Sequence, residues 1–142
     1  MADESKNHFD DEVKALIIEA LDGNKTGGGD IDALFRIKEN FRIIEFLKCD
    51  TVRPFDSHPN RYWHYNNPGK TGNKNKFISL WNVAQKTGSA LYLVNYEDSR
   101  EQFKVMKVTS MNESKGISTE EHKWNFDEFK KWFNSLIEHS AL

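Results

Sequence analysis

Between Phe41 and Cys49 the apolar residues Ile43, Ile44, Phe46 and Leu47 occupy both phases of the alternation that a strand imposes. A strand with apolar groups on both sides cannot belong to a sheet with one wet face. It belongs in the interior of a sheet covered on both faces. This one segment confines the chain to a layered α/β architecture, and the covering elements can be read from the rest of the sequence. Phe9, Val13, Leu16, Ile17, Ala20 and Leu21 recur at helical spacing and predict an amphipathic helix over 9–21, ended at Asp22-Gly23-Asn24 and followed by the turn at Gly27-Gly28-Gly29. Ile31 to Ile37 reads as a strand joined to 41–49 through Lys38-Glu39-Asn40, a β-hairpin.

Residues 51–76 lose all periodicity and gather Pro54, Pro59, Pro68, Gly69 and Gly72, which predicts a long irregular excursion. Phe77, Leu80, Trp81 and Ala84 mark a short helix that Gly88 can end in its left-handed cap position. Ala90 to Tyr96 and Phe103 to Thr109 read as two strands, and Asn112 to Lys123 as a polar stretch. A final helix has Asn125 as N-cap, Glu128 three residues on, and Phe126, Phe129, Phe133, Leu136 and Ile137 on its buried face. The expectation is one domain over residues 1–142, with a mixed central sheet of about four or five strands flanked by helices and closed by the C-terminal helix.

Charge and cysteine content limit the chemistry. With 20 Lys and Arg against 22 Asp and Glu, the formal charge is −2, so nucleic-acid binding requires a local patch. Cys49 is the only cysteine, which leaves no internal disulfide and no cysteine-based zinc site. No apolar run reaches the roughly 18–20 residues of a membrane helix, and the N-terminus lacks the apolar stretch of a signal peptide. A cytoplasmic protein without a membrane partner is expected.

The sharpest constellation is Gly29-Asp30-Ile31-Asp32-Ala33 at the head of one strand and Ile43-Ile44-Glu45-Phe46-Leu47-Lys48 in the next. Hairpin neighbours lie within about 5 Å, so Asp32 and Glu45 can share a cation if the register brings them together. Two carboxylates suit Mg²⁺, a hard ion that prefers oxygen and keeps much of its water. Such an ion polarises a phosphoryl oxygen and lowers the pKa of bound water, while a nearby lysine stabilises the developing negative charge. The alternative is structural: Asp32 at a strand edge, Glu45 a paired buried acid, Lys48 a solvated strand end.

In the order of these elements, residues 9–96 resemble the PD-(D/E)xK, or restriction-endonuclease-like, nuclease superfamily. The resemblance implies that Asp32 takes the place of the motif's aspartate, Glu45 of its second acid, Lys48 of its lysine, and Glu12 of the acid often found on the first helix. It implies a restriction-endonuclease-like core and a Mg²⁺-dependent endonuclease acting on DNA phosphodiesters, with Asp32 and Glu45 as metal ligands. A homodimer is compatible with it. The spacing here is Glu-x-x-Lys, not Glu-x-Lys, so Glu45 and Lys48 point to opposite faces of a regular strand. Their convergence requires a β-bulge.

The excursion 51–76 carries the basic residues Arg53, Arg61, Lys70, Lys74 and Lys76 against the single acid Asp56. Interleaved Tyr62, Trp63 and Tyr65 can stack on bases, and the cations can bind phosphates. The competing readings are a solvated loop with its aromatics tucked onto the core, or a protein-binding surface. Other motifs fail. Pro68-Gly69-Lys70-Thr71 lacks the first glycine of a phosphate-binding loop, whose place is taken by His64, and no strand precedes it. The histidines lack ligand spacing, and no Gly-x-Ser-x-Gly elbow exists. Two functions follow: a Mg²⁺-dependent nuclease, or a catalytically silent nuclease-like domain that binds a protein or nucleic-acid partner through 51–76.

Overall fold

The computed structural model describes residues 33–37, 40–63 and 74–138, together with Leu16, Glu19 and Ala20, each helical. A five-stranded mixed sheet runs in the order β1 (Ala33–Ile37), β2 (Asn40–Lys48), β3 (Ala90–Tyr96), β4 (Phe103–Asn112), β5 (Gly116–Trp124). Among the described strands only the β2–β3 pair is parallel. Parallel neighbours need a crossover, and helix α1 (Lys74–Thr87) supplies it. Helix α2 (Phe126–Glu138) closes the chain on the opposite face.

The doubly apolar strand is the reason both faces are filled. Ile43 and Leu47 point to the α1 side, where they join Leu91, Leu93, Met106, Val108, Phe77, Leu80 and Ala84. Ile44 and Phe46 point the other way, into a layer with Val94, Phe103, Val105, Phe129 and Leu136. Each fully buried aliphatic side chain contributes about 1.5–3 kcal/mol. The two helix ends come out as their sequence signals predict. Gly88, at φ 66°, closes α1 while Ser89 N donates to Ala84 O at 2.7 Å. At α2, Glu128 N donates to Asn125 Oδ1 at 2.9 Å and Asn125 N donates to Glu128 Oε1 at 3.1 Å, a reciprocal capping box.

Three expectations change. The polar stretch 112–123 is mostly β5, whose residues 120–123 are exposed; an edge strand with a wet face carries Thr, Glu, His and Lys where an interior strand carries Val and Leu. Phe126, expected on the buried face of α2, is 37% exposed, stacked on Phe103 with the Lys130 ammonium over its ring. The described part of the excursion after β2, residues 51–63, is built from two short turns. Pro54 and Pro59 each open a short 3-10 turn, Pro54–Asp56 and Pro59–Tyr62.

Residues 51–63 therefore form a strap across the far end of the α1 face, tied down by side chains that satisfy backbone groups. Asn95 Nδ2 donates to Pro54 O at 3.2 Å and Ser57 O at 2.8 Å, and Lys104 Nζ donates to Ser57 O at 2.9 Å. Asn60 mimics a strand partner: its Oδ1 accepts from Ile117 N at 2.7 Å and its Nδ2 donates to Ile117 O at 2.9 Å. Gly116, at φ 83°, leaves room for that carboxamide where any Cβ would collide with it. Trp63 drops into the core at 3% exposure, and its Nε1 donates to Glu113 O at 2.9 Å.

Candidate functional site

The strap, the carboxyl ends of β2 and β3, and the first turn of α1 border a partly open cavity of about 660 Å³ lined by Glu45, Asn95, Ser57, His58, Arg61 and Lys76 among others. It lies where an α/β sheet characteristically receives ligands, beyond the carboxyl ends of its parallel strands. Glu45 reaches it because the alternation of β2 sends residues 43, 45 and 47 to the α1 face. Its side chain is 3% exposed and forms an ion pair with Lys76 Nζ, contributed by the first turn of α1. A carboxylate at this depth needs such a partner, since an uncompensated buried charge costs several kcal/mol.

The expected lysine also lines this cavity, but its ammonium does not meet Glu45. β2 pairs with β3 without interruption from Arg42↔Ala90 to Lys48↔Tyr96, so no bulge intervenes and Lys48 emerges on the face opposite Glu45. Its Nζ lies 3.2 Å from Asp98 and 4.0 Å from Asp50, and its side chain is 46% exposed. The hydrogen bond to Asp98 and the charges of Asp98 and Asp50 raise the Lys48 pKa. The ammonium beside Glu45 is that of Lys76, which the sequence had suggested only as a phosphate contact. The depth of Glu45 and the solvated position of Lys48 both agree with the structural alternative for those two residues.

Asp32 and Glu12 lie outside the described residues. The described ladder between β1 and β2 ends at Ala33↔Ile44; Asp32 and Glu45 are the sequence neighbours of that pair. Among the described residues no group of three or more His, Cys, Asp and Glu gathers as a metal cluster.

The basic aromatic segment is more neutralised than its sequence suggests. Arg53 is held by Glu97 at 2.6 Å and Glu101 at 3.1 Å, and Lys74 by Glu113 at 3.0 Å. Its bond to Arg53 draws the Glu97 carboxyl below its ordinary range, and the bonds to Glu97 and Glu101 raise the guanidinium. Trp63 is a core residue and cannot stack on a base without leaving the interior. Arg61 is exposed at the cavity wall. Lys70 and the Tyr62 side chain lie outside the described residues.

Sequence reasoning missed a polar layer behind the cavity. Lys104, 5% exposed, is shared between Ser57 O and Glu121 Oε2, the latter at 3.2 Å. His58 caps the second 3-10 turn, its Nδ1 accepting from Asn60 N at 3.1 Å, while its Nε2 lies 3.2 Å from Thr119 Oγ1. Burial lowers the His58 pKa, the Glu121 charge raises it and the Lys104 charge lowers it, with a net fall. Burial likewise pushes up the Cys49 thiol in the cavity wall. A lysine inside the apolar run of β4 was the available signal for this layer.

No family model matches the chain, and neither the curated proteins nor the solved structures contain a match. Among the described residues no helix is long and apolar enough to cross a membrane.

Proposed function

We propose that this chain is a cytoplasmic Mg²⁺-dependent nuclease that hydrolyses DNA phosphodiesters, with Glu45 and Lys76 as its acid and lysine. The observation that carries the reading is the ion pair of these two side chains at the inner end of a polar cavity. It supplies the acid and ammonium that the motif requires, with the lysine arriving from α1 in place of β2. The donor chemistry fits the metal in part: a carboxylate is the hard oxygen ligand that Mg²⁺ prefers, and Asp32, the residue before β1, is proposed as the second. When bound, Mg²⁺ supplies charge neutralisation at the phosphoryl oxygen and acidifies a coordinated water.

The chain's own groups have distinct tasks. Glu45 holds an oxygen ligand at a fixed depth, because its strand is paired with β3 along its length and with β1 up to Ile44. Lys76 offers an ammonium on a flexible stem with 37% of its side chain exposed, placed to share its charge between Glu45 and the reacting phosphate. Arg61 provides a cation on the cavity wall for a neighbouring phosphate. Glu12 is the further acid of the proposed set, and Lys70 and Tyr62 are proposed substrate contacts.

A second reading has its own support. The outward course of Lys48 and the burial of Trp63 favour a silent nuclease-like domain that binds a partner over the strap. Incubation of supercoiled, linear and single-stranded DNA with the purified protein, in Mg²⁺ and in chelator, separates the two. The nuclease reading expects Mg²⁺-dependent cleavage that Asp32→Ala and Glu45→Ala each abolish; equal activity in chelator, or full activity of either variant, refutes it.

A further inference from the structure

We infer that the cavity admits unpaired nucleotides and not an intact duplex, so that the substrate is single-stranded DNA or a frayed strand end; this rests on the nuclease reading above. The first ground is depth. The Glu45 side chain is 3% exposed, so a reacting phosphate must travel into the cavity to meet it and cannot be served at the surface. The second is size. At about 660 Å³ this partly open cleft lies within the range, roughly 300–1,000 Å³, of small-molecule sites and is far smaller than a duplex. A duplex presents its phosphates on the outside of a wide, stiff rod, and bringing one of them down to Glu45 would require the rod itself to enter.

The third ground is the fixity of the wall. A duplex could be accepted if the strap swung away, but the strap is fastened at four points along its length. Asn95 and Lys104 hold the carbonyls of Pro54 and Ser57, Asn60 is bonded twice to Ile117, and the indole of Trp63 is both buried and bonded to Glu113. Opening it would break these bonds together and expose Trp63. The lining offers an unpaired strand cations for its phosphates, Arg61 and Lys76, with the half-buried Val52 beside them.

The test compares one labelled DNA oligonucleotide, free and as the stem of a duplex closed by loops at both ends, in Mg²⁺. Unpairing a single base step costs the duplex about a factor of ten, so the free strand should be cleaved at least about tenfold faster. Cleavage within the paired stem as fast as in the free strand overturns the inference while leaving the nuclease reading intact; cuts confined to the loops fall in unpaired nucleotides and support it. Absence of cleavage of either form removes the nuclease reading and the inference with it.

Discussion

Replacing Lys76 by Met removes the ammonium that accompanies Glu45 and leaves a carboxylate whose side chain is 3% exposed without that compensation. Breaking a fully buried pair in this way costs about 3–5 kcal/mol. The lysine end is 37% exposed, so water screens part of the interaction, and we expect the lower figure of about 2–3 kcal/mol. At roughly 3 °C per kcal/mol for a chain of this size, the melting temperature should fall by about 6–9 °C. The decisive comparison is the double variant Glu45→Leu with Lys76→Met. Ile43, Leu47 and Leu93 surround that position on the α1 face, so a leucine there meets apolar neighbours and most of the lost stability should return. Urea denaturation of wild type, both single variants and the double variant, with m-values compared, measures the coupling. A Lys76→Met loss below about 0.5 kcal/mol, or a double variant as unstable as the sum of the singles, would refute the account of this pair.

Asn95→Ala should cost about 1–3 kcal/mol, because Pro54 O keeps only the long bond from Ser57 N and Ser57 O keeps only Lys104; denaturation measures the loss, and trypsin should cut faster at Arg61. His58 contributes a pH dependence of definite sign. Its folded pKa is lowered, so the unfolded chain binds the proton first: this contribution to stability is complete above the unfolded value near 6.5 and is lost as pH falls through the folded value. His58→Asn, which retains a capping oxygen, should flatten the stability-against-pH curve in that window, and an unchanged slope would show that another group sets it. Burial raises the Cys49 pKa, so iodoacetamide should modify it more slowly than free cysteine at neutral pH; an equal rate would contradict its packing beside Ser57.

The layers were legible because their signals are local. The doubly apolar run in β2 required cover on both faces, and α1 and α2 announced themselves through apolar spacing and through the caps at Gly88 and Asn125. β5 was hidden because an edge strand with a solvated face carries no apolar alternation to read. The site was half legible. The burial of Glu45 follows from its apolar neighbours, but its lysine comes from an element 31 positions away, and sequence spacing cannot say which cation folds back onto a given acid. Lys48 was misplaced for the complementary reason: its nearness in sequence suggested a partnership that the regular alternation of β2 forbids. Arg53 and Trp63 read as binding residues because their partners, Glu97, Glu101 and Glu113, lie 44–50 residues downstream.

The most direct measurement of the central claim sets the two lysines against each other. Mg²⁺-dependent cleavage of labelled single-stranded DNA is followed for wild type, Lys76→Met and Lys48→Met, with substrate binding measured in parallel. The account predicts that Lys76→Met loses cleavage while retaining most of its affinity for DNA, since the missing charge acts mainly on the transition state, and that Lys48→Met cleaves like wild type. Loss of cleavage in Lys48→Met with Lys76→Met unimpaired would contradict it.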